Sequence, residues 1–262
     1  MNRLDGKVAL VTGIGSGIGQ GIALMFAREG AIVIGCDIRA TGAEKAVALA
    51  TAEGLTIDSV HPVDLTKPGD VQAYIDQAVA RYGRIDVLVN AAAIAPHMAT
   101  AAEMDYDTQW TPTMVGEVDI VFLAVKAAWP HLLAAGGGSI INFSSVNAAR
   151  GSKTFGMLAH CAGKAAVEAM SRQIAIEGGP HAIRCNTIAP GLVQTDATAS
   201  AGVSQDGSGA VSPQRQAILD RLLIKRLGTP EDIAYCAVYL ASDEAQWVTG
   251  ANFAINGGVT AA

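Results

Sequence analysis

Short β-branched runs alternate with longer, Ala-rich stretches of helical character along this chain. Residues 7–12 (KVALVT) predict a first strand, and residues 17–29 a helix stopped by Gly30. Further strands are expected at 31–36, 56–62, 85–90, 139–143, 183–188 and 252–255. Helices are expected near 42–52, 69–82 and 111–134, within 154–177, and at 231–242. Seven strands alternating with helices imply parallel βαβ crossovers. The expected fold is therefore α/β, a doubly wound, seven-stranded parallel sheet with helices on both faces. Burial on both faces explains why Ile85-Asp86-Val87-Leu88-Val89 is nearly continuous in its apolar character. One segment stands apart: residues 197–212 are rich in Gly, Ser and Ala and lack apolar periodicity. We expect one domain over 1–262, with 192–226 as a loop covering the substrate; a plain flexible insertion is the alternative.

Composition narrows the class. Half of the residues are apolar and 16% are charged, enough for a large core and too few charges for a disordered chain. The net charge of -6 gives no support for binding nucleic acid or an anionic membrane. No apolar run reaches the roughly 20 residues of a membrane helix. Cys36, Cys161, Cys185 and Cys236 form no CxxC pair, and no metal-ligand cluster is apparent. They read as reduced thiols, and the opening residues lack a signal-peptide apolar stretch, so a cytoplasmic location is expected.

The first strand runs into Thr12-Gly13-Ile14-Gly15-Ser16-Gly17-Ile18-Gly19. Glycines between a strand and a helix let backbone approach a pyrophosphate, while the helix N-terminus offers unpaired N–H groups. The spacing is Gly13-x3-Gly17-x-Gly19 rather than GxGxxG. Asp37 closes the second strand, where a carboxylate accepts from ribose hydroxyls and repels a 2′-phosphate. NAD is thus expected over NADP, although Arg39 is nearby.

The TGxxxGxG at 12–19 resembles that of the short-chain dehydrogenases/reductases. So do Asp64 in HPVDLT, Asn90 after Ile-Asp-Val-Leu-Val, Gly138 through Ser145 (GSIINFSS), Pro190-Gly191, Arg226-Leu227-Gly228-x-Pro230-Glu231-Asp232 and Asn256-Gly257-Gly258. The resemblance runs through the whole chain in order. It implies a Rossmann-type fold, a small-molecule substrate and a homotetramer built through the helices at 154–177 and 231–242. It implies a nucleotide site made by Gly13, Gly15, Ser16, Gly17, Ile18, Gly19, Asp37, Ile38, Asp64, Leu65, Asn90, Ala91, Ala92, Lys164, Pro190, Gly191, Val193 and Thr195.

The family usually works with Asn, Ser, Tyr and Lys. Here Ser145 and Lys164 are present, but the position four before Lys164 holds His160. No tyrosine occurs between Tyr106 and Tyr235, and no asparagine between Asn90 and Asn142. Glu117 stands where the Asn belongs, and flanking Val115, Val118 and Val121 point to its partial burial. Near His160 it would act on the imidazole, and it could pair with Lys164. Imidazole exchanges protons at neutral pH, so His160 can replace the tyrosine as general acid/base. The competing reading is a leftover in a site that lost or changed its chemistry. Glu117 itself has the alternative of a structural ion pair. Substrate contacts are expected from Pro96, His97, Asn147, Met157, Gly191 and Leu192. The leading function is interconversion of a secondary alcohol and a ketone with NAD. The rivals are a non-redox lyase or isomerase using His160 and Glu117, and a silent NAD-binding protein.

Overall fold

The structure, a computed structural model, describes residues 2–152, 156–195 and 213–261. Strand β1 (Val8–Thr12) is buried along its length. It pairs with β2 (Ile32–Cys36) on one side and β4 (Val87–Asn90) on the other. With β3 (Ile57–Val60), β5 (Gly138–Phe143), β6 (Ile183–Pro190) and β7 (Asn252–Ile255), the sheet order is β3-β2-β1-β4-β5-β6-β7. Every neighbouring pair is parallel. The chain starts mid-sheet, winds outward to β3, then crosses back to β4. The winding direction changes between β1 and β4, which opens a crevice at their carboxyl ends.

Two apolar layers sandwich the sheet. One face is covered by α1 (Gly17–Arg28), α2 (Ala40–Ala52) and a helix at Pro230–Ala241, through Ile22, Phe26, Ala43, Ala46, Ile233 and Val238. The other is covered by α3 (Pro68–Tyr82) and by helices at Ile120–Ala134 and Leu158–Gly178, through Tyr74, Ile75, Ala124, Leu132, Val167 and Ile174. Two buried side-chain bonds tie helices to the sheet. Tyr74 donates its hydroxyl to the Ile34 carbonyl at 2.7 Å, and Asn142 Nδ2 donates to Ser171 Oγ at 2.8 Å.

The single helix expected at 111–134 is longer and less regular. It begins with a wide π-type turn at Tyr106–Trp110, passes through α4 (Thr111–Met114) and a second wide turn at Val115–Asp119, and continues as α5 (Ile120–Ala134). Such turns are rare and cluster at functional sites, and the second carries Glu117. Two short helices were not anticipated: α6 (Val146–Ala149), directly after Ser145, and α8 (Pro213–Arg221). Between them lies α7 (Leu158–Gly178), and the last helix is α9 (Pro230–Ala241). Most of the glycine-rich segment at 197–212, and with it the centre of the expected 192–226 covering loop, lies outside the described residues.

Candidate active site

The turn after β1 admits only glycine at its closest points. Gly13 has φ 73°, and a Cβ there would sit 2.8 Å from the Ala92 Cα. A Cβ on Gly19 would sit 2.2 Å from the Gly13 carbonyl oxygen. The helix that follows is left open at its start. Ser16 occupies the N-cap of α1 without a side-chain cap, and the first turn holds no acid. Its backbone N–H groups and positive dipole end are therefore available to an anion. Asp37 is pinned at the end of β2. Its Oδ2 accepts from Gly15 N–H and its Oδ1 from Arg39 N–H, both at 2.8 Å. The Arg39 guanidinium donates to Ser16 Oγ at 3.0 Å. Asp64 accepts from the Thr66 hydroxyl at 2.7 Å, and that bond holds its carboxyl below the usual range, with Lys67 adding to the effect.

At the opposite end, Ser145 caps α6, its Oγ accepting from Asn147 N–H at 3.1 Å. His160 lies in the first turn of α7, and Lys164 follows one turn later on the same face. Glu117 is brought against them from the wide turn before α5. Its Oε1 lies 2.6 Å from His160 Nδ1. Glu117 is 1% exposed, and its Oε2 has no hydrogen-bond partner among the described residues. A Cβ on Gly163 would stand 2.9 Å from that oxygen, so the carboxylate occupies space that a side chain at 163 would fill. The pairing of Glu117 with Lys164 that the sequence allowed does not form: the carboxylate pairs with His160. Lys164 is buried, and burial pushes its ammonium down from the ordinary range while the charge of Glu117 opposes the shift.

One cleft of about 1090 Å³ joins the two ends. Of the residues expected from sequence, its walls include Gly13, Ser16, Gly17, Ile18, Gly19, Asp37, Ile38, Asp64, Leu65, Ala91, Ala92, Gly191 and Thr195. They also include Ser145, Asn147, Met157, His160 and Leu192. Gly15, Glu117, Lys164 and four others stand behind this lining. Asn90 is buried and donates Nδ2 to Asn142 at 2.8 Å, tying β4 to β5. Pro190 pairs with Ile255 in the sheet, and Val193 bridges to Gly228. His97 is held by Thr113 Oγ1 at 3.0 Å, and its neighbours Pro96 and Met98 line the cleft instead.

Sequence reasoning did not anticipate Arg150 or Arg221 in the cleft wall. A lone arginine carries no sign of its place, and Arg221 arrives on the unanticipated α8. The thiols offer no competing nucleophile. Burial pushes Cys36 and Cys185 up to about 12 and raises Cys161, the neighbour of His160, as well. Among the described residues, no group of three or more His, Cys, Asp or Glu could hold a metal ion. No described helix is long and apolar enough to cross a membrane.

Residues 13–260 match the family model described as enoyl-(acyl carrier protein) reductase. The chain is similar to D-threitol dehydrogenase of Mycolicibacterium smegmatis, with 38% identity over 258 residues that span 98% of this chain and 94% of that one. It is similar to meso-2,3-butanediol dehydrogenase of Serratia marcescens at 33% identity, covering 99% and 96% of the two chains. A solved 7α-hydroxysteroid dehydrogenase, complexed with NADH and 7-oxo glycochenodeoxycholic acid, matches with a TM-score of 0.88 and 33% identity, over 98% of this chain and 95% of that one.

Proposed function

We propose, because this chain belongs to the short-chain dehydrogenase/reductase family and is an oxidoreductase, that it interconverts a secondary alcohol and a ketone with NAD, using His160 as the acid/base. The observation that carries the reading is the 2.6 Å bond between His160 Nδ1 and buried Glu117, with His160 and Ser145 both lining one cleft. With Nδ1–H donated to Glu117, Nε2 is left as the acceptor. Ser145 Oγ–H then holds the substrate oxygen, His160 Nε2 takes the carbinol proton, and Glu117 balances the imidazolium that forms. Reduction of a ketone runs the same proton backwards. The Lys164 ammonium serves the ribose beside the reacting carbon.

The residues present fit a nicotinamide dinucleotide. The uncapped first turn of α1 meets a pyrophosphate, and the glycine turn lets it approach. When bound, the cofactor supplies the hydride acceptor or donor. Asp37 supports NAD over NADP, since a fixed carboxylate repels a 2′-phosphate; Arg39, drawn to Ser16, moderates that exclusion. The same reading makes the protein a cytosolic homotetramer acting on a small molecule.

The test follows absorbance at the NADH band with a panel of secondary alcohols and ketones. Turnover is expected with NADH in preference to NADPH. His160→Ala should lower kcat by about 100-fold or more at unchanged NADH affinity. Unaltered turnover of a true substrate in that variant overturns the role of His160. Product formed without an absorbance change would favour the non-redox use of the His160–Glu117 pair.

A further inference from the structure

The carboxylates lining the cleft lie on one side of the sheet, where Arg39 stands with them, bonded to Ser16 and 3.8 Å from Asp37. Among the described residues, the carboxylates in its wall are Asp37 and Asp64, which follow β2 and β3 on one side of the switch point. On the other side stand two guanidiniums. Arg150 ends the short helix α6 that starts from Ser145, so it is anchored within one turn of chain from the serine hydroxyl. Arg221 ends α8, after β6. Arg150 Nη1 donates to the Val259 carbonyl, and Val259, like Leu192, packs against the cluster of Leu222 and Leu227, Leu222 being the residue after Arg221. The bond to Val259 engages one nitrogen of Arg150, and its other N–H donors have no partner among the described residues. Arg221 has no hydrogen-bond or ion-pair partner among the described residues. Among the described residues neither guanidinium has an ion-pair partner, and two such permanent cations lining one cleft, in a chain of net charge -6, suit an oxyanion. The cofactor pyrophosphate does not account for them, because its place is the open end of α1 under β1 and β4.

We infer that the substrate carries an anionic tail, a carboxylate, sulfonate or phosphate, held by Arg150 and Arg221 while its carbinol carbon faces Ser145 and His160. The inference rests on the alcohol–ketone reading for the second half of that statement only. Arg150 and Arg221 act as specificity residues: they select and orient, and take no proton.

The test is calorimetric titration of the full chain saturated with NADH. Ketones of one skeleton are compared with the tail as carboxylate, sulfonate, phosphate or neutral carboxamide, across several chain lengths. At least one anionic member is expected to bind about tenfold tighter than its carboxamide. That preference should collapse in the Arg150→Gln/Arg221→Gln double variant, whose NADH affinity should match the unaltered protein and so report intact folding. The member that binds best identifies which oxyanion is used. Equal binding of anionic and neutral members at every length overturns the inference. So does a preference that survives in the double variant, or a loss of NADH affinity in it, which would assign the arginines to the cofactor. Binding needs no turnover: an anion preference that depends on the arginines, without hydride transfer, supports the inference and overturns the redox reading alone.

Discussion

Position 163 lacks a side chain where α7 passes closest to Glu117, and the two residues are best understood together. Ala is favoured over Gly within a helix by about 1 kcal/mol, so Gly163→Ala should leave overall stability near its starting value. Its Cβ, however, falls 2.9 Å from Glu117 Oε2, so the carboxylate that holds His160 through Oε1 must shift to admit it. Activity should drop by on the order of 100-fold, the usual effect of misplacing a reacting group by about 1 Å. In a Glu117→Ala background the same substitution should add little, and a double-mutant cycle on kcat reads that coupling directly. A full additive loss would show that position 163 acts by another route. The sequence made His160 and Glu117 visible as the residues standing where tyrosine and asparagine are usual. Their contact was not legible, because it joins two helices separated by a strand. Gly163 was silent for the same reason: its purpose lies in a neighbour 46 positions away.

At the scale of elements, the start of α9 shows how much a short motif can specify. Thr229 accepts from the backbone N–H of Asp232, and Asp232 accepts from that of Thr229, closing a capping box after Arg226. The Arg226 guanidinium reaches Asp232 at 2.6 Å and, with the Thr229 N–H, holds its carboxyl down to about 2. The folded value lies below the unfolded one. The stabilisation is therefore present above the ordinary carboxylate range and is lost as pH falls from about 4 towards about 2. Asp232→Asn should cost about 1 kcal/mol at neutral pH. Denaturant titrations across that acid window should show a shallower decline for the variant than for the unaltered protein. Equal slopes would mean that Asp232 does not contribute to the acid response. The strands and the glycine turn were legible because they announce themselves within a few residues; the capping box was not read, its residues having entered only as part of the resemblance. The wide turns around α4 were not, since they keep helical character and alter only the register. Helix α8 was missed because it carries no clear apolar stripe of its own beside a glycine-rich stretch.

For the molecule as a whole, the doubly wound class could be read from alternation, but the strand order could not, because it depends on which crossovers go left or right. The two core layers nonetheless account for most apolar residues and leave a few in the open. Ile176 on α7 and Tyr235 on α9 are 70% and 61% exposed, on the helices through which a tetramer is expected to form. Light scattering should give four times the 26.8 kDa chain mass, and Ile176→Asp or Tyr235→Asp should lower that mass while far-ultraviolet dichroism stays unchanged. A monomeric mass for the unaltered chain would refute the assembly.

The open first turn of α1 has a consequence of another kind. A helix end that its own sequence does not finish is completed by what arrives from outside, so part of the folded state is on loan from the nucleotide pool. At a hundredfold excess over Kd, a ligand bound to the folded form alone adds about 2.7 kcal/mol. Resistance of the chain to heat and proteases should then rise with the concentration of nicotinamide cofactor supplied.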